Sequence, residues 1–382
     1  MIRDDGDTSA GPAEALAYQA RILGGVSRTF ALTIPSLPDG LRIPVTNAYL
    51  LCRIADTLED DPALSAERKR AAGRRFVEVL RGRADAHAFA RETVPLLAAD
   101  TPADERDLLI RSPAVVEVTR ALSPARRRAL VRCVEVMSDG MHRFQQSAGL
   151  QGLASQARLD EYCYFVAGVV GEMLTELFCS HSRSIAQRRD RLMELAPSFG
   201  QGLQMTNILK DMWEDRRRGI CWLPRTAFGA GDGVDDLLGG VDRAALERGV
   251  AHLTVVAHGH LRNALAYTLL IPRRHRGVRR FCLWALGMAV PTLANIHARP
   301  GFRTGADVKI SRPQVRAIVR RYGGCATSNS MLRLLFRRAS RSLPESDPAV
   351  ADGLHRISRE AAARCHTEEP PGEPARGRLG VN

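Results

Sequence analysis

Apolar side chains recur at intervals of three and four residues along most of this chain, which is the spacing of one face of an α-helix. The first clear run consists of Leu41, Val45, Ala48, Tyr49, Cys52 and Ala55. The same period extends over residues 124–146, 159–180, 188–215, 241–268, 277–297 and 324–341. Runs of alternating β-branched residues are rare, so the pattern predicts an all-α protein with ten or more helices.

Proline and glycine gather between these runs, at 35–38, 102, 112–113, 123–124, 229–240 and 299–305. Ser123 followed by Pro124 is typical of an N-cap and the first residue of a helix. The chain shows no repeat of 20–50 residues and no internal low-complexity linker. We therefore predict one helical domain over residues 13–365, with a flexible N-terminus at 1–12 and a disordered tail at 366–382.

Composition favours an intracellular globular protein. The chain has 382 residues, of which 45% are hydrophobic, and its eight cysteines form no CxxC pair and no zinc-like cluster. We expect buried free thiols in a reducing compartment. The longest apolar stretch, Phe281–Ile296, is shorter than the roughly 20 residues of a membrane span and contains Pro291. The acidic, polar first dozen residues do not resemble a signal peptide, and the sequence predicts a cytoplasmic protein.

The net charge of +13, from 55 Lys and Arg against 42 Asp and Glu, points to phosphate-rich partners. Nucleic acid, an anionic membrane face and diphosphate substrates all fit that charge. A zinc finger, an RNP sequence and a basic zipper are all missing, so no nucleic-acid partner is expected. The cluster Arg273–Arg280 is either a solvated basic face or a contact for lipid, diphosphate or nucleotide phosphate.

Two acidic motifs with the spacing DxxxD carry the main chemical signal. Asp56–Asp60 and Asp211–Asp215 each end a long apolar helical run. At i and i+4 the two carboxylates share one helix face, about 6 Å apart along the axis, and repel each other. Mg²⁺, which prefers one or two carboxylates together with phosphate oxygens, relieves that repulsion. The same spacing at Asp100–Asp104 and Asp232–Asp236 lies among proline or glycine, where we expect no regular helix.

The residues around both motifs resemble the squalene/phytoene synthase family. Ser27–Phe30 is similar to an early Ser-(Arg/Lys)-Ser-Phe segment, and Tyr49–Asp60 to a pattern in which Tyr and Arg precede the first aspartates. Tyr162–Gly171 is similar to the family's YCxxVAGxVG helix, Gln204–Asp215 to its second acidic helix, and Gly219–Pro224 to the flap that follows. Together these segments cover roughly residues 20–340.

The C-terminal third resembles the squalene-forming branch of the family. Tyr267–Pro272 and Arg279–Leu283 fit the bacterial pattern, and Val308–Arg312 is similar to a Lys-Ile-x-(Arg/Lys) stretch associated with reduction by NADPH. The first motif has one Asp after Ala55, where many phytoene-type enzymes have two. Lys210 stands where many relatives carry Arg, which keeps the charge but loses the forked geometry of a guanidinium.

The resemblance implies a single-domain isoprenoid-synthase helical bundle with a central active-site cavity. It also implies head-to-head condensation of two farnesyl diphosphates to presqualene diphosphate, followed by NADPH-dependent reduction to squalene. The catalytic residues implied are Tyr162, Asp56, Asp60, Asp211 and Asp215. The metal ligands implied, for Mg²⁺ or alternatively Mn²⁺, are Asp56, Asp60, Asn207, Asp211 and Asp215. The substrate-binding residues implied are Ser27, Arg28, Phe30, Tyr49, Arg53, Gln204, Asn207, Lys210 and Phe281, and Lys309 and Arg312 are assigned to NADPH.

The sequence leaves alternatives for the role of Tyr162, for the helix glycines and for the reaction itself. Tyr162 either transfers a proton or hydrogen-bonds the leaving diphosphate, and the glycines at 168, 171, 200 and 202 either let two helices approach or leave room for isoprenoid chains. Phytoene or dehydrosqualene synthase activity would omit the reductive step. A terpene cyclase or a basic helical nucleic-acid-binding protein are the alternatives outside the family. We expect a monomer with weak peripheral contact to anionic membranes, because a long-chain product must leave into a bilayer.

Overall fold

The computed structural model describes residues 11–145 and 149–344, and within these ranges the chain is helical without any β-strand. The all-α prediction is therefore confirmed. The helices of the first half are α1 Pro12–Val26, α2 Arg28–Thr33, α3 Asp39–Asp60, α4 Ala66–Leu80, α5 Ala86–Thr93, α6 Ala103–Ile110, α7 Ser112–Ala121, α8 Pro124–Gln145 and α9 Gln156–Cys163. The helices of the second half are α10 Val169–His181, α11 Arg183–Ala186, α12 Arg189–Arg217, α13 Leu237–Gly240, α14 Arg243–Leu270, α15 Arg276–Ala298, α16 Gly305–Val308, α17 Arg312–Cys325 and α18 Asn329–Ala339.

Helix boundaries follow local capping interactions, which the apolar periodicity does not contain. Helix α8 begins at Pro124, as the Ser-Pro pair predicts. The prediction of one helix over residues 324–341 is wrong at its start, because α17 ends at Cys325 and α18 begins at Asn329. The Ser328 hydroxyl accepts a hydrogen bond from the Met331 amide at 3.3 Å, which caps a new helix there.

The run at 159–180 is helical but not regular. A π turn over Tyr164–Gly168 joins α9 to α10 and inserts one residue per turn beyond the α-helical period. Glu172 lies within hydrogen-bonding distance of the Tyr164 hydroxyl and forms an ion pair with Arg132 at 2.9 Å, so a buried polar network stabilises this turn. Periodicity over a long window does not register a single inserted residue.

Helix α12 forms the centre of the bundle. It packs most extensively against α14, and α10 and α15 complete its surroundings. The buried apolar side chains form one contiguous core from Ala15 to Leu343, which agrees with a single helical domain. The predicted flexible N-terminus at 1–12 lies outside the described residues except for Gly11 and Pro12. The predicted disordered tail at 366–382 lies entirely outside them.

Two glycines bring the backbones of α10, the π turn and α12 into direct contact. A Cβ added to Gly171 would lie 2.1 Å from the carbonyl oxygen of Ala196, and one added to Gly200 would lie 2.0 Å from that of Ala167. Distances this short exclude any side chain. Gly171 and Gly200 therefore permit close approach of the helices, and both also line the internal cavity described below.

The basic cluster 273–280 is divided by the structure. Arg279 is fully buried, where its Nη1 donates to the Ile271 carbonyl at 3.1 Å and its Nη2 donates to Asn329 Oδ1 at 2.7 Å. These bonds tie the turn before α15 to the start of α18. Arg273, Arg274 and Arg276 remain exposed. The cluster is thus partly structural, since Arg279 is buried and the half-buried Arg280 donates to the Gly323 carbonyl, while the other three arginines form its exposed part.

Two helical segments are long and apolar enough to span a membrane by composition alone, Gln156–His181 and Arg276–Ala298. In both, 56% of the most apolar stretch is buried inside the bundle. Helix α15 also contributes Phe281, Cys282 and Met288 to an internal cavity described below. Their apolar character is accounted for by core packing.

The cysteines that the structure describes are free thiols. Five of these seven side chains are buried, and Cys179 and Cys325 are half-buried. The prediction of buried free thiols is therefore confirmed for most of them, while Cys365 lies outside the described residues.

The close helix contact generates the first prediction. Gly171→Ala should lower the free energy of unfolding by about 3 kcal/mol, because a methyl group there must displace the α12 backbone. Gly24→Ala is the matched control, since a Cβ at Gly24 meets nothing within 4 Å and alanine is the better helix former. Chemical denaturation of both variants measures the difference. Equal stability of the two would contradict the assigned role of Gly171.

Candidate active site

Helix α3 carries the first acidic motif, and its first aspartate shares one helix face with two other polar residues. Tyr49, Arg53 and Asp56 are spaced at i, i+4 and i+7, and all three line one internal cavity. The Tyr49 hydroxyl donates to the Val26 carbonyl at 3.0 Å and accepts from Arg53 Nη2 at 3.2 Å. The motif ends at Asp60, where α3 also ends, as predicted.

The end of α3 is fixed by a neighbouring acid that sequence reasoning did not assign. Asp61 is buried, and its carboxylate accepts hydrogen bonds from the amides of Ala63 and Ala98 and from the Thr101 hydroxyl. These bonds satisfy the charge of Asp61 within the protein. Asp61 therefore anchors the terminus of the helix that carries Asp56 and Asp60.

Arg53 is held in place by a second unassigned acid, Glu105 on α6. The Arg53 Nη1 lies 3.9 Å from Glu105 Oε1, and the Thr57 hydroxyl donates to Glu105 Oε2 at 3.1 Å. Burial opposes the charge of Arg53, but Asp56, Tyr49 and Glu105 together outweigh that effect and raise the pKa of the guanidinium. Arg53 is therefore a fixed cation beside Asp56.

Helix α12 presents the second motif on the other side of the cavity. Gln204, Asn207 and Lys210 line the cavity. The Lys210 ammonium donates to Asn207 Oδ1 at 3.1 Å and lies 3.1 Å from Asp211 Oδ2, so it partly neutralises that carboxylate. Asp215 follows one turn later, near the end of the helix.

A short segment from the C-terminal part packs over this motif. The Gly305 amide donates to Glu214 Oε1 at 3.0 Å, and a Cβ at Gly305 would lie 3.1 Å from Asp211 Oδ1. Asn295 also binds this segment, donating to the Val308 carbonyl at 2.9 Å. These contacts bring Lys309 to the cavity, although it lies far from the motif in the sequence.

The two acidic motifs lie close enough to influence each other. Burial raises the pKa of Asp56 to about 7, with Arg53 opposing and Asp60 adding to the rise. Burial likewise raises the pKa of Asp215 to about 6, and the charges of Asp211 and Asp60 raise it further. Because Asp60 belongs to α3 and Asp215 to α12, the ends of the two acidic helices lie near each other, and Asp56 connects them to the cavity.

The cavity itself has a volume of about 520 Å³ and extends from this polar mouth into the apolar bundle. That volume lies within the range of small-molecule sites in proteins. Arg53, Asp56, Asn207 and Lys210 lie at its polar end. The apolar walls include Phe30, Val166, Ala167, Val170, Leu174, Phe178, Leu203, Tyr267, Phe281, Met288 and Ala289.

Tyr162 lies beside the acidic clusters and is not part of the cavity wall. Its ring stacks on Trp222 with centroids 4.1 Å apart and contacts the edge of Phe144 at 5.3 Å. Burial raises the pKa of Tyr162 well above its usual range, and the charges of Glu59 and Asp60 add to this. The phenol therefore keeps its proton and can act as a hydrogen-bond donor to an anion.

Trp222 is positioned by the segment that follows α12. The Cys221 amide donates to the Gly149 carbonyl at 2.9 Å, and the Leu153 amide donates to the Leu223 carbonyl at 2.9 Å. The two short segments thus pair as an isolated parallel bridge between Leu153 and Pro224. The pairing presses the flap, including Trp222, onto Tyr162.

The structure brings together ten of the residues expected at the site and leaves six off the cavity wall. The ten that line it are Ser27, Phe30, Tyr49, Arg53, Asp56, Gln204, Asn207, Lys210, Phe281 and Lys309. Asp60, Asp211, Asp215 and Tyr162 surround its mouth through the contacts given above. Arg28 and Arg312 are exposed and off the wall, because each begins a helix on the protein surface.

Several residues at the site carried no assignment from sequence. Glu105 lies 52 residues beyond Arg53, and no local sequence motif indicates that the two form an ion pair. Glu59 lies inside the first motif, and burial raises its pKa to about 8, with the charge of Asp60 adding to the rise. The Gln145 amide donates to Glu59 Oε1 at 2.7 Å. Trp222 stood within the recognised flap segment and could have been found there.

The site suits Mg²⁺ that is shared with a diphosphate. Among the described residues no three His, Cys, Asp or Glu side chains converge on one metal position. The carboxylates of the two motifs are nevertheless hard oxygen ligands, and a cation relieves their mutual repulsion, which adds to the raised pKa values of Asp56 and Asp215. Because Mg²⁺ binds to proteins through one or two carboxylates plus phosphate oxygens, these clusters fit an ion that arrives with its substrate.

An all-α bundle whose acidic helix ends meet at the mouth of an apolar cavity has the design of a prenyltransferase. Comparison with known proteins agrees. Residues 23–314 match the family model described as squalene/phytoene synthase. This chain therefore belongs to the squalene/phytoene synthase family.

Individual relatives are squalene synthases at modest identity. A squalene synthase from Gibberella zeae is 28% identical over 73% of this chain and 58% of its own length. Botryococcus squalene synthase, from Botryococcus braunii, is 29% identical over 93% of this chain and 74% of its own length. The chain thus spans less than two thirds of the first of these relatives.

Solved structures share the fold. A complex of TcSQS with the ligand BPH1237 superposes with a TM-score of 0.69 at 24% identity, covering 92% of this chain and 99% of that one. A dehydrosqualene synthase complex gives a TM-score of 0.58 at 21% identity, over 81% and 95% of the two chains. The bundle described here is therefore that of the family.

The raised pKa of Asp56 generates a pH prediction for the metal-free protein. Since its pKa of about 7 lies above the unfolded value of about 3.9, ionising Asp56 destabilises the folded state as the pH rises between these values. Asp56→Asn should match wild type near pH 4 and become more stable by about 1–3 kcal/mol near pH 8. Thermal unfolding in chelator at both pH values measures this.

Asp190→Asn is the control for that experiment, because the Asp190 carboxylate is 98% exposed. Its difference from wild type should stay near zero at both pH values. If Asp56→Asn showed the same flat dependence, the burial of Asp56 beside Asp60 would not be the cause of any pH effect.

The position of Tyr162 generates a second prediction. Tyr162→Phe keeps the stack on Trp222, so its stability should change little, but loss of the hydroxyl should reduce turnover about 100-fold. Tyr164→Phe is the contrasting variant, since the Tyr164 hydroxyl bonds the buried Glu172 and its loss should cost about 1–3 kcal/mol of stability. Diphosphate release and thermal unfolding, measured on both, separate the two roles. Full activity of Tyr162→Phe would exclude a chemical role for its hydroxyl.

Proposed function

We propose that this chain condenses two molecules of farnesyl diphosphate head to head to presqualene diphosphate and reduces that product to squalene with NADPH. The observation that carries the proposal is the pair of facing acidic helix ends at the mouth of an apolar cavity. Membership of the squalene/phytoene synthase family and the squalene synthases among its relatives support it.

The polar mouth suits two diphosphates. Asp56, Asp60, Asn207, Asp211 and Asp215 would hold Mg²⁺, or Mn²⁺ in its place, and the bound ion would neutralise the charge that develops on a departing diphosphate. Arg53 is a cation already fixed by Glu105 and Tyr49, and Lys210 adds a second on α12. The Ser27 hydroxyl lines the cavity beside them.

The first half-reaction joins the two substrates. The bond between C1 and the diphosphate oxygen of one farnesyl group breaks, and the double bond of the second molecule captures the cation. Loss of a proton then closes a cyclopropane, so that presqualene diphosphate, inorganic diphosphate and a proton are formed. Tyr162, protonated and surrounded by acids, is positioned to donate a hydrogen bond to the departing diphosphate or to relay the proton.

The second half-reaction removes the remaining diphosphate. The carbon skeleton rearranges, and NADPH supplies the hydride that turns the final cation into squalene. Phe30, Tyr49 and Phe281 form a ring cluster at the cavity, with centroids of neighbouring rings 4.5 Å and 6.2 Å apart, and aromatic faces stabilise passing cations. The apolar walls exclude the water that would otherwise quench them.

Lys309 is our candidate contact for the NADPH phosphates, because it is the member of the predicted pair that reaches the cavity. Lys309→Gln should reduce squalene formation at least tenfold while presqualene diphosphate accumulates. Arg316→Gln, which removes the same charge from an exposed position on α17, is the matched control and should leave both products unchanged. Lipid mass spectrometry after incubation with farnesyl diphosphate, with and without NADPH, measures them.

Several results would contradict the proposal. Full turnover in excess chelator would exclude the metal-dependent mechanism. A product of phytoene or dehydrosqualene type in the presence of NADPH would place the chain in the non-reductive branch. A cyclic product from one substrate molecule would indicate a terpene cyclase. A cytoplasmic monomer with peripheral membrane contact remains our expectation for the intact protein.

A further inference from the structure

A second large concavity lies on the other side of α14 from the active-site cavity. It is a groove of about 1020 Å³ between the start of α12, the C-terminal half of α14 and helix α18. Tyr267 faces the active-site cavity, whereas Leu265 and Leu269 of the same helix face the groove. The groove plays no part in the chemistry proposed above.

The rim of the groove is strongly basic. Arg333, Arg337 and Arg341 follow one another at i, i+4 and i+8 along α18 and its C-terminal end, and Arg191 and Arg262 stand on the facing helices. Among the described residues no carboxylate lies within ion-pair distance of Arg333, Arg337 or Arg341. Like charges at this spacing repel one another, so the fold holds three exposed cations together without an internal partner.

The segment of the chain that carries α17 and α18 contains no acidic residue, although Arg191 on the facing helix pairs with Glu194. Residues 308–344 include nine Lys and Arg and neither Asp nor Glu, so this stretch accounts for +9 of the chain's net charge of +13. A general surplus of arginine would be interspersed with acids, as on most solvated faces. Much of the net positive charge is therefore concentrated in the segment that carries α17 and α18, and Arg333, Arg337 and Arg341 of that segment line the groove.

The floor of the groove and the adjacent surface are apolar. Leu195, Leu265, Leu269 and Phe336 line the floor, and Phe336 lies against the ring of His258 with centroids 6.0 Å apart. Beside the rim, Met331 and Leu334 of α18 expose 42% and 36% of their surface. Basic and apolar side chains alternate on this helix as they do on helices that lie in a membrane interface.

We propose that this groove and the exposed face of α18 dock the protein on an anionic lipid bilayer. Phospholipid phosphates would bind Arg333, Arg337 and Arg341, lipid chains would cover the apolar floor, and Met331 and Leu334 would enter the headgroup region. The relevance of a membrane rests on the proposed function, whose product is a hydrocarbon that water does not dissolve. The docking experiment below measures no turnover, so its failure is distinct from failure of the proposed function.

A lipid surface fits these observations better than nucleic acid does. A nucleic-acid site needs phosphate contacts with stacking or hydrogen-bonding groups for the bases. The groove offers leucines beneath its arginines and apolar side chains at its edge. That combination matches an amphiphile with an anionic head and an apolar tail.

The test is sedimentation of the full chain with vesicles of phosphatidylcholine alone or with about 30% phosphatidylglycerol, at low salt. Each arginine near an anionic surface strengthens binding about fivefold, so Arg333→Gln/Arg337→Gln/Arg341→Gln should weaken partitioning roughly 100-fold. The matched control is Arg273→Gln/Arg274→Gln/Arg276→Gln, which removes the same charge from the exposed part of the other basic cluster and should change it less than threefold. Met331→Ser/Leu334→Ser, with no change of charge, should weaken binding at least fivefold.

Thermal unfolding and turnover of farnesyl diphosphate in detergent verify that each variant is folded and active. Equal loss of binding in both triple variants would overturn the proposal, because it would show only a general response to net charge. Stabilisation by inorganic phosphate equal to that by lipid would indicate a free-anion site instead. Duplex DNA that binds as tightly as the anionic vesicles would assign the face to nucleic acid. Lower thermal stability of the groove variant with unchanged vesicle binding would show that the arginines serve the fold.

Discussion

The site depends on mutual repulsion among carboxylates that the fold holds together in a partly dry place. The acids come from two different helices, α3 and α12. Burial, together with the like charge of Asp60, raises the pKa values of Asp56 and Asp215. A protein that only maximised its stability would give these carboxylates partners, as it does for Asp61 through hydrogen bonds and for Glu105 through Arg53. The unrelieved acids are those that a divalent cation and a diphosphate can satisfy.

The rest of the bundle keeps that arrangement rigid. Glu105 and Tyr49 hold Arg53, Asp61 anchors the end of α3, and Gly171 and Gly200 set the distance between α10 and α12 to backbone contact. The π turn that follows Tyr162 contributes Val166 and Ala167 to the cavity wall. The π turn thus shapes the apolar part of the cavity, while hydrogen bonds, an ion pair and close helix contacts fix the polar part.

Positive charge occurs in two settings in this molecule. Inside, Arg53 is fixed by Tyr49 and Glu105, whereas Arg279 joins three helices through hydrogen bonds to the Ile271 carbonyl and the Asn329 side chain. Outside, the arginines of α18 stand unpaired among the described residues beside apolar side chains. Helix α14 separates the two regions, with Tyr267 on the side of the internal cavity and Leu265 and Leu269 on the side of the basic groove.

The sequence by itself determined the helical class, the ends of the two acidic helices and most residues of the cavity, because apolar periodicity and local motifs are encoded in short stretches. It did not reveal Glu105, the burial of Arg279 or the break before Asn329, since ion-pair partners, burial and capping depend on distant or single residues. It also left Gly171 and Gly200 ambiguous between close packing and open space. Only the tertiary structure decided these points, because each depends on which atoms of another helix lie within a few ångströms.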